Sequence, residues 1–96
     1  MKIAVLGAHG QLGRDLLPRL PGEVVPLTRA DLDLANPASI APALTAARPD
    51  VLVNCAAYNF VDKAEAEPDA AFAVNAWGVR ELARACRESG TRLVHV

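Results

Sequence analysis

An α/β fold, a parallel sheet with helices on both faces, is what the order of apolar segments in this 96-residue chain predicts. Three observations carry the prediction. Short apolar runs alternate with longer stretches whose apolar residues recur at helical spacing, a β-α-β-α-β-α-β order that closes as a parallel sheet with crossover helices. The runs are apolar throughout instead of alternating with polar residues, as in strands covered on both faces. The first run ends in a glycine-punctuated turn, Gly7–Gly13, that opens directly into a helical stretch.

The elements follow in order. Lys2–Leu6 (KIAVL) is a strand ending at Gly7. Gly10–Leu20 is a helix with Leu12, Leu16, Leu17 and Leu20 on one face, stopped by Pro21–Gly22. Glu23–Leu27 is a strand with β-branched Val24 and Val25, and Pro26 argues that it lies near an edge or carries a bulge. Ala30–Ala35 is a loop. Asn36 caps a helix with Pro37 at its first position, running to about Arg48 through Ile40 and Leu44 until Pro49–Asp50 breaks it. Val51–Asn54 is the third strand. A loop, Cys55–Phe60, leads to a short acidic helix near Val61–Glu67. Pro68 opens a longer helix to about Glu88, with Phe72, Val79, Leu82 and Cys86 on its buried face. Gly90 can take the left-handed conformation that ends it. Arg92–Val96 begins a fourth strand. The chain stops inside that strand, so it reads as the N-terminal piece of a longer protein, with uncovered apolar surface that favours self-association of the isolated piece.

Composition excludes several classes. The net charge is −1 with both signs interspersed, so there is no basic stripe for nucleic acid. Phe60, Phe72, Tyr58 and Trp77 are too few and scattered to stack bases. No apolar run approaches a membrane span, and the start is a poor signal peptide. Cys55 and Cys86 lack metal-ligand spacing and read as reduced thiols of a cytoplasmic protein. The acidic residues Asp62, Glu65, Glu67 and Asp69 read as a solvated face with favourable charge at a helix start, not as a metal site.

The glycine turn, GxxGxxG from Gly7 to Gly13, carries the chemistry. Gly7 permits the sharp exit from the strand, Gly10 lets backbone approach a pyrophosphate, and Gly13 lets the helix pack closely on the sheet. Free N–H groups at the helix start, near Gly10–Leu12, would meet the phosphates with the positive end of the helix dipole. Together with the strand order this is a Rossmann-type arrangement that binds a dinucleotide. His9 lies in the turn with no carboxylate beside it in sequence, which suits a solvated loop residue better than a catalyst. At the end of the second strand, where an acidic residue would select NAD, the chain has Thr28-Arg29. Thr28 brings no carboxylate to repel a 2′-phosphate, and Arg29 could pair with one. NADP is therefore favoured, and Asp31 and Asp33 keep NAD open.

These residues resemble the N-terminal part of the extended short-chain dehydrogenase/reductases, and within them the dTDP-4-dehydrorhamnose reductase family. The resemblance runs the length of the chain. It is carried by GxxGQxG (Gly7–Gly13), RPDVLVNCAAY (Arg48–Tyr58), VDKAEAEP (Val61–Pro68) and FAVNAWGVRELARAC (Phe72–Cys86). It implies an NADP(H)-dependent reductase that converts a nucleotide-linked 4-keto-6-deoxysugar in dTDP-rhamnose biosynthesis. By position, Gly10, Gln11 and Leu12 would meet the pyrophosphate, and Thr28 and Arg29 the adenosine ribose. Asp33 would accept from the adenine amine, with Leu34 covering the ring. Ala56, Ala57 and Tyr58 would lie under the middle of the cofactor and the nicotinamide ribose. The family often has Asp where Thr28 stands, and more often a small residue where Cys55 stands. Asn75 would bond a neighbouring strand and support the cofactor loop. Gly78 in mid-helix implies close approach of helix to sheet.

The resemblance places the catalytic Ser/Thr just after Val96, and the Tyr and Lys further on; Tyr58 is the chain's one tyrosine. A nucleotide-sugar substrate is therefore implied for the parent protein, and no catalytic residue is assigned within 1–96. A non-catalytic NAD(P)-binding regulatory subunit, a truncated product without activity, and a homodimer stay open.

Overall fold

The structure, a computed structural model, describes residues 1–56 and 73–96, and the side chains of 1–56 and 76–96. Four parallel strands form one sheet in the order β2-β1-β3-β4. They are β1 (Lys2–Leu6), β2 (Glu23–Leu27), β3 (Val51–Asn54) and β4 (Arg92–His95). In register, Val25, Ala4, Leu52 and Leu93 stand side by side across all four. Pro26, which cannot donate to a ladder, sits in the outer strand β2 as its chemistry requires.

The unbroken apolar character of β1 has a direct structural cause, because both of its faces are covered. Ala4 and Leu6 face one core with Leu27, Leu32, Leu34, Leu52 and the helix residues Ile40, Leu44, Leu82 and Cys86. Ile3 and Val5 face the other, with Val53 and partly buried Leu16, Leu17 and Leu20. The first face is covered by α2 (Ile40–Ala47) and α3 (Val79–Ser89), the second by α1 (Gln11–Leu16). Cys55 packs on the α1 side and Cys86 on the other, so the sheet itself separates the two thiols.

The helices differ from expectation in ways that trace to particular residues. The first is α-helical only over Gln11–Leu16 and tightens into a 3₁₀ turn, Leu17–Arg19. Pro18 has no N–H to continue the ladder. Leu12 is not on the core face. It is 46% exposed, because Gly13 next to it is the residue turned inward against the first turn. The second helix splits into a 3₁₀ turn, Pro37–Ser39, and α2. Asn36 makes no side-chain cap. Ser39 ties the junction instead, its hydroxyl accepting from the Asp33 N–H at 2.9 Å and donating to the Asn36 carbonyl at 2.7 Å. Arg48 ends α2 in the left-handed region, φ 48°, with its N–H on the Leu44 carbonyl at 2.8 Å.

Before α3 the chain forms a π-helical stretch, Ala73–Gly78, where an unbroken α-helix was expected. Val79 is half-buried and Leu82 and Cys86 fully buried, as foreseen. Gly78 makes a close approach, and its nearest neighbour is Leu34 in the loop after β2: a Cβ there would stand 2.8 Å from the Leu34 Cβ. Gly90, φ 75°, ends α3 as expected. The short acidic helix near 61–67, the start at Pro68 and Phe72 lie outside the described residues. At the other end of the sheet Asp50 joins three strands. Its carboxylate accepts from the Lys2 N–H at 2.7 Å, its own N–H donates to the Lys2 carbonyl at 2.8 Å, and its carbonyl accepts from Arg92 at 2.9 Å.

Candidate dinucleotide-binding site

From β1 the chain crosses to β2 and from β3 to β4, in opposite directions along the sheet, so β1 and β3 flank a topological switch point. In open α/β sheets the crevice at the carboxyl ends of such a pair is where ligands bind. Gly7 leaves β1 with φ +79°, and its N–H and that of Ala8 both donate to the Leu27 carbonyl, at 3.1 and 3.3 Å. A Cβ on Gly7 would come within 2.9 Å of the Ala56 nitrogen and the Cys55 carbonyl carbon. A Cβ on Gly13 would come within 2.8 Å of the Ala8 Cα. The fold itself therefore demands both glycines.

Gly10 is different. It has an ordinary φ of −74°, and a Cβ on it would meet only the Gly7 oxygen, at 3.3 Å. Among the described residues no other atom lies within 4 Å of that Cβ. Gly10 is the N-cap of α1, and no side chain caps the helix. The first amide to bond back is Arg14, to the Gly10 carbonyl at 3.0 Å. The N–H groups of Gln11, Leu12 and Gly13 thus have no intrahelical acceptor, and an anion could take them.

At the end of β2 the geometry corrects one premise. Thr28 brings no carboxylate of its own, but Asp31 supplies one. Its Oδ2 accepts from the Thr28 N–H at 2.8 Å and from the Thr28 hydroxyl at 3.0 Å. Those two bonds, the backbone one foremost, hold the Asp31 carboxyl below its usual 3.8, with a smaller contribution from the charge of His9. His9 is exposed, and the structure gives it the acidic neighbour that its sequence surroundings lacked. The reciprocal turn, in which Asp31 N–H returns to the Thr28 carbonyl at 3.0 Å, was legible only as a Thr-x-x-Asp spacing.

Arg29 is exposed, with its Nε 3.8 Å from the Asp33 carboxylate. Asp33 also accepts from the Ala35 N–H at 3.0 Å. Leu34 is 4% exposed and enclosed by the protein's own core, under Gly78. Its side chain has almost no exposed surface with which to cover an adenine ring.

At the end of β3, Asn54 is fully buried, and it is a site residue missed from sequence. An amide closing an otherwise apolar strand was the available signal. Its Oδ1 accepts from the Ala56 N–H at 3.0 Å, and its Nδ2 lies 3.0 Å from Nδ1 of His95. Burial pushes the half-exposed Cys55 thiol up. Ala57, Tyr58 and the side chain of Asn75 lie outside the described residues, as does the acidic run 62–69. Among the described residues no three His, Cys, Asp or Glu side chains are grouped to hold a metal ion, and no helix is long and apolar enough to cross a membrane.

Known proteins share this architecture and sequence. The chain is 46% identical over 95 residues to a dTDP-4-keto-6-deoxy-D-glucose reductase of Streptomyces niveus, covering 96% of the chain and 33% of that protein. It is equally identical, over 95 residues, to a dTDP-4-dehydrorhamnose reductase of Streptomyces griseus, covering 96% of the chain and 31% of that protein. The crystal structure of dTDP-4-dehydrorhamnose reductase from Bacillus anthracis in complex with NADP superposes with a TM-score of 0.87 at 35% identity, over 96% of this chain and 34% of that one. The chain spans about a third of the length of these relatives. The family described as the RmlD substrate binding domain matches residues 1–96, and the chain belongs to it.

Proposed function

We propose that this chain is the cofactor-binding part of an NADP(H)-dependent reductase of a nucleotide-linked 4-keto-6-deoxysugar, taking dTDP-4-dehydrorhamnose to dTDP-rhamnose. The observation that carries the reading is Gly10, whose Cβ would meet only the Gly7 oxygen among the described residues, at 3.3 Å, beside the Gln11, Leu12 and Gly13 amides that have no intrahelical acceptor. A fold that needs Gly7 and Gly13 for itself does not need Gly10; a pyrophosphate does. The identity to sugar-nucleotide reductases, and NADP in the Bacillus anthracis structure, support the same reading.

In it, the amides at the start of α1 bind the pyrophosphate, Thr28 and Arg29 lie by the adenosine ribose, and Arg29 pairs with the 2′-phosphate while the Asp31 carboxylate stays bonded to Thr28. Releasing Arg29 from Asp33 costs little, because exposed ion pairs contribute about 0–1 kcal/mol. Asp33 accepts from the adenine amine. Ala56, Ala57 and Tyr58 line the route toward the nicotinamide. The bound cofactor supplies the hydride. Residues 1–96 are read as the first part of the NAD(P)-binding domain, with the carbonyl-activating Ser/Thr, Tyr and Lys and the sugar-binding part further along the chain of a cytoplasmic enzyme. Mixing the protein encoded by the whole gene with NADPH and dTDP-4-dehydrorhamnose tests this. Loss of reduced-nicotinamide absorbance, dependent on the sugar nucleotide, is expected. No oxidation with this sugar or its 4-keto-6-deoxyglucose counterpart would refute it.

A further inference from the structure

Asn54 sits at the carboxyl end of β3, in register with Leu6 of β1 on one side and His95 of β4 on the other. Its backbone is fixed from both sides: the Cys55 N–H donates to the Leu6 carbonyl at 2.9 Å, and the Val96 N–H to the Asn54 carbonyl at 3.1 Å. The buried side-chain amide could still point either way. Two neighbours decide it. The Ala56 N–H can only donate, so the amide must turn its oxygen there, at 3.0 Å. The amide nitrogen then faces Nδ1 of His95, at 3.0 Å. An NH₂ group can only donate, so Nδ1 must present its lone pair and the ring proton must sit on Nε2. A proton on Nδ1 would set donor against donor. Flipping the amide to relieve that would set its NH₂ against the Ala56 N–H.

We infer that His95, as its Nε2–H tautomer, is a positioning residue for the cofactor: it orients Asn54, and Asn54 holds the N–H of Ala56, whose backbone lies against Gly7. The inference rests on the proposed cofactor reading for its effect on binding. Ala56 is the half-buried residue whose nitrogen lies against Gly7, at the crevice between β1 and β3. Losing the His95 acceptor leaves a buried amide hydrogen without its partner and frees the amide to rotate. The floor of the crevice then loses a fixed donor–acceptor pair, while the groups that would transfer hydride and proton are untouched.

Two variants of the protein encoded by the whole gene separate the possibilities. His95→Asn puts a carbonyl oxygen near the place of Nδ1; His95→Phe keeps a ring and removes the acceptor. With His95→Phe, the KM for NADPH is expected to rise about 3–10-fold, the worth of one neutral hydrogen bond, with kcat changed less than about twofold. His95→Asn is expected to restore most of the affinity. The His95 ring nitrogens of the wild type are expected to show the Nε2–H pattern in ¹⁵N spectra, and the Ala56 amide to exchange faster in His95→Phe. An Nδ1–H pattern, or a His95→Phe protein with wild-type KM and Ala56 exchange, would overturn the inference. If the wild type bound neither NADPH nor NADH, the cofactor reading would fall, and Ala56 exchange alone would decide the role of His95.

Discussion

Gly7 and Ala56 meet backbone to backbone, and a Cβ on Gly7 would stand 2.9 Å from the Ala56 nitrogen, itself held by Asn54. Neither chain can retreat, because Gly7 is bonded to Leu27 and the Cys55 N–H is bonded to Leu6. Gly7→Ala adds that contact to a left-handed φ of +79°, which by itself costs an L-residue about 1–3 kcal/mol. Urea denaturation is expected to show a loss of at least that size. Gly10→Ala, with an ordinary φ and one contact at 3.3 Å, is expected to change stability by less than about 1 kcal/mol. Equal losses for the two variants would mean that Gly10 also serves the fold.

Gly78 sets two effects against each other. Alanine is the better residue in a helical stretch by about 1 kcal/mol. A Cβ at Gly78, however, would stand 2.8 Å from the Leu34 Cβ and closer still to the Leu34 carbonyl oxygen. Leu34 is 4% exposed and cannot swing away. Overpacking of this kind costs about 1–3 kcal/mol. Gly78→Ala is therefore expected to lower the melting temperature, and a rise would show that the loop after β2 yields.

Asp31 makes a pH prediction whose sign follows from its bonds. Its folded carboxyl lies below the usual 3.8 because the Thr28 N–H and hydroxyl favour the charged form. The folded state then binds fewer protons than the unfolded chain in that range, so the contribution is present above 3.8 and is lost as the pH falls through the lowered value. In an NMR titration, Thr28→Val is expected to raise the Asp31 midpoint part of the way back, since the backbone bond remains. No movement would assign the depression to the backbone bond and His9 alone.

Much of the fold was readable because local chemistry and tertiary packing agree. The apolar run Lys2–Leu6, the edge-favouring Pro26 and the terminator Gly90 each mean in the structure what their chemistry implies. The misreadings arise where a partner distant in sequence, or a subtler local one, decides. Leu12 has helical spacing but is turned outward, because Gly13 takes the inward place against Ala8. Gly78 was expected to approach closely, and its nearest neighbour is Leu34, a contact across 44 residues that no local pattern contains. Asp31 reaches Thr28 through a turn only three residues long, yet a strand-end rule that looks only at residue 28 passes over it. Asn54 was visible as an amide in an apolar strand, but its partner His95 becomes adjacent only when β3 and β4 pair.

Arg29 carries the choice between the two nicotinamide cofactors in the proposed reading. Among the described residues its exposed guanidinium pairs with Asp33, at 3.8 Å. Arg29→Ala is expected to weaken NADPH binding about 10-fold or more, the scale of a lost charge-assisted contact, and to leave NADH binding within about twofold. Calorimetric titration of both cofactors checks it, and unchanged NADPH affinity would exclude Arg29 from the 2′-phosphate site.

In the proposed reading Gly10 is a glycine for the sake of a bound pyrophosphate. Fluorescence titration of NADPH into wild type and Gly10→Ala, each expressed from the whole gene, tests it most directly. The expected result is saturable binding to the wild type and at least about a tenfold weaker affinity in the variant, about 1.4 kcal/mol, with an unchanged circular dichroism spectrum. Equal affinity in the two proteins, or no binding to the wild type, would show that Gly10 does not serve a pyrophosphate.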